Sequence, residues 1–196
     1  MINRFAFLHA ATLALAAFAF APAQAQPLAP RDAAILVLNQ DRLLTQTAFG
    51  QRIQSELDAA SVALAAENRQ IEAQLTEEEL ELTERRPTMS PEDFRVLADE
   101  FDARVVAIRA AQDAKTRDLQ AQAEAAQQRF FEETFPVLLD IVQSRGAAVL
   151  LDSRTVLLSA GSVDITDAAI VAIDEAMGQG GDAPLISLPG VTAPEQ

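Results

Sequence analysis

The fold of this chain is decided at residues 85–91, which read Arg85-Arg86-Pro87-Thr88-Met89-Ser90-Pro91. Pro87 lacks a backbone N–H and disfavours helix at the residue before it, so a first helix is expected to end near Arg86. Ser90 is a good N-cap and Pro91 suits the first helical position, so a second helix is expected to begin there. The stretch therefore predicts a turn between two helices.

Apolar residues recur at alternating steps of four and three on both sides of this turn. Before it they are Ile53, Leu57, Ala60, Leu64, Ile71, Leu75 and Leu82, and after it Phe94, Leu97, Phe101, Val105, Ile108, Leu119, Ala126 and Phe130. A period near 3.5 in two helices joined by a short turn predicts an antiparallel coiled coil. Since roughly forty residues of helix span about 60 Å, this hairpin, which starts at Leu43 and comprises residues 43–135, is expected to project from the rest of the chain.

The first 25 residues have the pattern of a secretory signal peptide. Arg4 precedes an apolar run over residues 5–21, and Ala23-Gln24-Ala25 is a small-x-small cleavage signature. A retained membrane helix is the alternative, but the apolar run is short and ends at Pro22. We expect cleavage after Ala25 and export of the mature chain.

Composition excludes several classes of function. The net charge is −14, which argues against nucleic acid as a partner and against attraction to anionic lipid. Cysteine, tryptophan and tyrosine are absent, the one histidine is His9 in the signal segment, and Lys115 is the one lysine. Histidine-dependent nucleophiles and ordinary zinc sites are therefore excluded, and no Gly-rich phosphate loop occurs. We expect neither an enzyme nor a bound cofactor or metal.

Short apolar runs outside the hairpin predict a small head. Residues 33–39 are expected to form one strand, and residues 147–152 and 155–159 two more, joined by a tight turn. A last helix is expected from a cap at residues 164–167 to Met177, and its inward-facing residues are predicted to be Ile170, Val171 and Ile173.

Two further predictions concern the boundaries of the hairpin. Pro136 is expected to interrupt the second helix where arm meets head, and the preceding phenylalanines, Phe130, Phe131 and Phe135, are expected to be core residues. Residues 26–42 and 136–177 then make the head, while the glycines and prolines of residues 178–196 predict a disordered tail. Because three short strands form a small core with open edges, we expect the head to be buried in a homo-oligomer.

The order of these elements resembles the Skp/OmpH family of periplasmic chaperones across the mature chain. The most specific part runs from Ala148-Val149-Leu150-Leu151-Asp152 to Asp164-Ile165-Thr166. The resemblance implies an α+β fold in which a small sheet forms a shared β-barrel in a homotrimer, with a long antiparallel α-helical hairpin on each subunit. It also implies ATP-independent capture of unfolded outer-membrane proteins in the periplasm. Basic arm tips are typical of better-known members, and the acidic charge of this chain argues against membrane-surface or lipopolysaccharide contact.

These observations lead to a hypothesis of a holdase chaperone whose arms make weak contacts with exposed apolar strands. The predicted contacts lie near the tip: Leu80, Leu82, Met89, Phe94, Val96, Leu97 and Phe101. The alternative is that most of these residues hold the two helices together, and for Leu82, Phe94 and Phe101 this is the better explanation. Arg85 and Arg86 are either anion contacts or charges that complement the helix dipole. The alternative function is an exported structural adaptor that docks its hairpin tip on an envelope complex.

Overall fold

The computed structural model describes residues 34–187, which fall within one compact unit. The predicted signal peptide, residues 26–33 and residues 188–196 lie outside the described residues. Within the described part of the chain, no helix is both long enough and apolar enough to cross a membrane.

Two long helices form the predicted hairpin. Helix α2 spans Ala48–Arg85 and helix α3 spans Pro91–Ser144, with a short 3-10 turn at Arg86–Thr88 between them. The turn chemistry is confirmed, because the Ser90 hydroxyl accepts a hydrogen bond from the Asp93 amide at 3.1 Å. With 38 and 54 residues, the helices span about 57 Å and about 81 Å.

The hairpin does not start at Leu43 as predicted, because a separate helix α1, Gln40–Gln46, precedes it. Thr47 has an extended backbone conformation and caps α2: its hydroxyl donates to the Leu43 carbonyl at 2.7 Å and accepts from the Gly50 amide at 3.1 Å. The Ala48 amide donates to the Asp174 carboxylate at 2.8 Å, so the start of the arm is bonded to the last helix of the head.

The prediction that Pro136 interrupts the second helix is wrong, since α3 continues through it to Ser144. Proline removes one helical hydrogen bond, and packing on both sides of it offsets this loss: Thr134 is fully buried and Leu138 is 8% exposed. Of the three phenylalanines predicted to be core residues, only Phe130 is fully buried, while Phe135 is 62% exposed.

The head contains a two-stranded parallel sheet. Strand β1, Ala34–Leu38, pairs with strand β2, Ala147–Asp152, and Leu36 lies opposite Leu150. The prediction of a third strand at residues 155–159 is wrong for the single chain. The Asp152 carboxylate and the Val156 amide instead close a 3-10 turn at Ser153–Thr155, and residues 156–159 pair with no strand in residues 34–187.

Helix α4, Thr166–Met177, is fixed to the end of β1. The Ile165 amide donates to the Val37 carbonyl at 2.9 Å, and the Asn39 amide donates to the Thr166 hydroxyl at 2.9 Å. The Asp164 carboxylate in turn accepts from the amide and the hydroxyl of Thr166, and the hydroxyl hydrogen bond is the main cause of a lowered Asp164 pKa. Ile173 is buried as predicted, whereas Val171 is 57% exposed and its inward placement was wrong.

The disordered tail predicted from residue 178 does not hold for residues 178–187, which pack against the base of the hairpin. Ile186 is only 8% exposed and belongs to the core that is shared by the head and the hairpin base. That core centres on Phe49 of α2 and Phe130 of α3, whose rings lie 5.3 Å apart. The described chain is therefore a packed base from which two helices extend.

Candidate functional site

Burial is concentrated at the base of the hairpin. Phe49, Ile53 and Leu64 of α2 and Leu119, Ala126 and Phe130 of α3 are buried, but none of the described residues from 65 to 118 is. The apolar residues of the alternating four-and-three pattern are here called the seam. The predicted seam is confirmed, because every one of its residues is buried or half-buried. Beyond the base, the two arms are thus joined by contacts that leave each apolar side chain partly open to solvent.

A groove of about 890 Å³ lies between the arms in this weakly buried region. Its apolar lining comes from seam residues and from one residue beside the seam, namely Ile71, Leu75, Phe101, Val105, Ile108 and Val106. The same groove is also lined by the acidic residues Glu72, Glu79, Asp102 and Asp113 and by Arg109. Its lining is therefore a mixture of apolar side chains and mainly negative charge.

The residues predicted from the sequence to contact a client divide into two groups. Leu80 and Val96 are 59% and 57% exposed and are available to a partner. The other five are half-buried: Leu82, Met89, Phe94, Leu97 and Phe101. All of these except Met89 lie on the seam pattern, and Met89 lies at the turn, so these five hold the hairpin together as much as they offer surface.

Two exposed valines were missed by the sequence reasoning. Val106 is 67% exposed and Val62 is 66% exposed, and neither belongs to the seam pattern. Their signal was present in the sequence, because an apolar residue that falls off a clear helical seam faces solvent. The exposed apolar surface of the arms therefore extends from the tip toward the middle of the hairpin.

The tip presents Arg85 and Arg86, both exposed. The Arg86 guanidinium lies 5.3 Å from the centroid of the Phe94 ring, a cation–π contact that links the two helices at the turn. The Arg85 carbonyl accepts a hydrogen bond from the Thr88 hydroxyl at 2.7 Å and so helps to close the turn. Arg86 thus has a structural role at the tip.

Polar contacts join the arms where apolar burial is lacking. Lys115 of α3 donates to Glu67 of α2 at 2.5 Å, and Arg104 pairs with Glu78 nearer the tip. The hydrogen bond from Lys115 is the main cause of a lowered Glu67 pKa. The second carboxylate oxygen of Glu67 and the side-chain oxygen of Gln112 are buried without a hydrogen-bond partner. This cluster is therefore only partly satisfied, which limits how firmly it closes the middle of the hairpin.

The acidic run near the tip does not converge on a single point. Four of its five members, Glu77, Glu79, Glu81 and Glu84, are exposed, and the fifth, Glu78, is paired with Arg104. Across residues 34–187, no group of three or more carboxylate, histidine or cysteine side chains is arranged to hold a metal ion.

Comparisons with known proteins point to one family. The family model described as "Outer membrane protein (OmpH-like)" matches residues 34–173. A crystal structure of an OmpH-like candidate outer membrane chaperone from Caulobacter crescentus CB15 superposes with a TM-score of 0.71 at 21% identity. The match covers 76% of this chain and 88% of the other. A search of curated proteins gave no match.

A change at Lys115 tests the polar contact between the arms. We expect Lys115→Met to lower the free energy of unfolding at pH 7 by about 0.5–1 kcal/mol, because it removes the partner of a half-buried carboxylate. A carboxyl whose folded pKa is lowered stabilises the fold above its unfolded pKa and loses that contribution as the pH falls through its folded pKa. The difference between wild type and variant is therefore expected to shrink below pH 4.5, the ordinary value for Glu67.

Urea denaturation followed by circular dichroism between pH 7 and pH 3.5 measures this difference. Arg129→Met is the matched control, because its partner Glu133 lies one turn away on the same helix and the pair does not join the two arms. An acid response of Lys115→Met that is identical to that of wild type contradicts the assignment.

Proposed function

Because this chain belongs to the OmpH-like outer membrane protein family, we propose that it is an ATP-independent periplasmic holdase chaperone. In this proposal the arms capture unfolded outer-membrane proteins and prevent their aggregation. The observation that carries it is the long hairpin in which no residue from 65 to 118 is buried, although its seam is lined with apolar side chains. Such a hairpin keeps apolar surface accessible to a partner without collapsing onto its own head.

Weak contacts are sufficient for capture if many act together. Leu80, Val96, Val106 and Val62 are exposed side chains that each bury modest apolar area when a client approaches. When several arms engage one polypeptide, each bound contact raises the effective concentration of the next. Clients of unlike sequence are accepted because the groove recognises apolar character rather than a particular shape.

Charge is expected to limit where the protein acts. With 29 acidic residues against 15 basic ones, its surface repels anionic lipid head groups and other loaded complexes. The tip carries Arg85 and Arg86, and Arg86 is already engaged with Phe94, so we propose that contact with lipopolysaccharide is not part of its function. Localisation follows from the sequence: the signal peptide is proposed to be cleaved after Ala25, and the mature chain to reside in the periplasm.

The head is proposed to assemble as a homotrimer with a shared β-barrel. Leu157 and Leu158, which follow the 3-10 turn after β2, are 105% and 90% exposed. Ile35, Val149 and Leu151 of the sheet are also exposed. Exposed apolar residues beside an open strand edge are typical of an interface. Residues 155–159, which form no strand in the single chain, are then available to pair with a neighbouring subunit.

The capture hypothesis is tested with Leu80→Gln/Val96→Gln. We expect this variant to suppress aggregation of a urea-unfolded outer-membrane protein several-fold less well than wild type, because it removes two exposed apolar side chains near the tip. Light scattering after dilution from urea measures the effect. Val171→Gln is the matched control, because Val171 is as exposed as Val96 but lies on the head. A wild-type protein that fails to suppress aggregation contradicts the proposed function, and equal suppression by variant and wild type contradicts the assigned contacts.

The assembly hypothesis is tested with Leu157→Asp/Leu158→Asp. We expect wild type to sediment as a trimer at micromolar concentration and this variant as a monomer, because charge at a buried interface is costly. Leu80→Gln/Val96→Gln is expected to remain trimeric, since its changes lie on the arms. A wild-type monomer in sedimentation velocity contradicts the trimer.

A further inference from the structure

The residues that follow α4 occupy a groove at the base of the hairpin. Residues 178–187, here called the carboxyl-terminal segment, have no regular secondary structure beyond turns and bends. Ile186 of this segment is 8% exposed within the core, and Gly180 packs so closely on the Phe49 ring that an added Cβ would lie 2.4 Å from it. The segment therefore sits in a groove that accepts one aliphatic side chain and one close backbone approach.

Three side chains of the hairpin hold this segment, and every hydrogen bond that they make to it goes to its main chain. The Arg52 guanidinium donates to the carbonyls of Gln179, Gly181 and Ala183. One oxygen of Glu56 accepts from the amides of Leu185 and Ile186 at 2.6 and 3.0 Å. The Gln122 amide group donates to the Ser187 carbonyl at 2.8 Å and accepts from the Ser187 amide at 2.7 Å.

Arg52 and Glu56 also position each other. Arg52 donates to Glu56 at 2.7 Å along one face of α2, so the guanidinium and the carboxylate are held side by side. Burial works to raise the pKa of the Glu56 carboxyl, but hydrogen bonds from the Ile186 and Leu185 amides and from Arg52 together lower it below its usual value. Gln122 faces the same groove from α3, so the segment is bound by both arms at once.

Recognition of this kind depends mainly on the main chain. Seven hydrogen bonds are made to carbonyl and amide groups that every polypeptide possesses. The side-chain requirements are an aliphatic residue at the position of Ile186 and a glycine at the position of Gly180, where a Cβ would meet the Phe49 ring. Two consecutive amides on one Glu56 oxygen require a curved backbone, which an unfolded chain adopts freely. An unfolded protein offers unpaired backbone groups and exposed aliphatic side chains, which is the chemistry that this groove accepts.

We propose that Arg52, Glu56 and Gln122 form a peptide-binding site for an irregular segment that carries a glycine and, six residues later, an aliphatic residue, and that the carboxyl-terminal segment occupies this site in cis. The proposal rests on the proposed capture of unfolded polypeptide and adds a second site, at the base, to the arm surface. Because a tethered segment is present at a high effective concentration, it excludes weak ligands. A client that is already bound along the arms gains the same advantage and can displace it.

The test uses the full chain with its segment released. In Leu185→Pro/Ile186→Asp, one donor to Glu56 and the aliphatic anchor are lost. The probe is a fluorescein-labelled peptide of residues 179–187, QGGDAPLIS. Fluorescence anisotropy is expected to show binding to this variant and at least about tenfold weaker binding to wild type, in which the site is filled. Adding Gln122→Ala to the released variant is expected to weaken probe binding. Gln128→Ala is the matched control, because the Gln128 side chain donates to Glu132 one turn along the same helix.

The proposal is overturned if the released variant keeps the circular dichroism of wild type and fails to bind the probe, or if wild type binds it equally well. If the variant fails to fold, hydrogen exchange in wild type is measured instead. Millimolar probe is expected to speed exchange at the Leu185, Ile186 and Ser187 amides, because it displaces the segment. Unchanged exchange overturns the proposal. Probe binding is independent of aggregation suppression. If the probe binds but the protein does not suppress aggregation, the proposed function is contradicted and the peptide-binding site is still supported.

Discussion

The structure depends on the contact between Phe49 of α2 and Phe130 of α3, because it fixes the two arms at one end only. Their rings lie 5.3 Å apart, and both side chains are fully buried. Around them the Asp174 carboxylate accepts the first amide of α2, and Asp164 and Thr166 fix α4 to β1. The head and the hairpin base are therefore a single packed body, and the rest of the hairpin extends from it with little burial of its own.

The stability of the arms is thus graded along their length. Near the base, Ile53, Leu64, Leu119 and Ala126 are buried, whereas the seam residues farther out are only half-buried. Elements with few buried apolar contacts open locally at low cost, while well-packed elements open only with global unfolding. In a hairpin built in this way, the tip is expected to open at a lower cost in free energy than the base.

The hairpin could be predicted from the sequence because its signals are local. Pro87, Ser90 and Pro91 set the turn through backbone chemistry, and the seam follows from spacing alone. The placement of residues 178–187 could not be predicted, since it depends on Arg52, Glu56 and Gln122, which are 65 to 131 positions away in the chain. Their three glycines and Pro184 are typical of disorder, yet here the segment packs closely on Phe49 and follows a curved path around Glu56. Residues 155–159 show the opposite case, in which β-branched composition predicts a strand that the single chain does not pair.

Only those features of the candidate site that depend on local sequence pattern could be predicted. Leu80 and Val96 are exposed because they lie off the seam, and a helical period reveals this without any coordinates. Leu82, Phe94 and Phe101 follow the seam and are half-buried, so composition near the tip could not separate surface from interface. The polar cluster of Glu67, Gln112 and Lys115 needed the three-dimensional pairing of the arms, because its members are 45 and 48 positions apart.

The most direct test of the central claim is native-state hydrogen exchange of the full chain, resolved by segment. If the arms are fixed at the base and lightly joined beyond it, amides in residues 65–118 exchange through openings that cost far less free energy than those around Phe49 and Phe130. Protection that is uniform from base to tip would contradict this account, because arms as stable as the base would not open locally, as the proposed function requires.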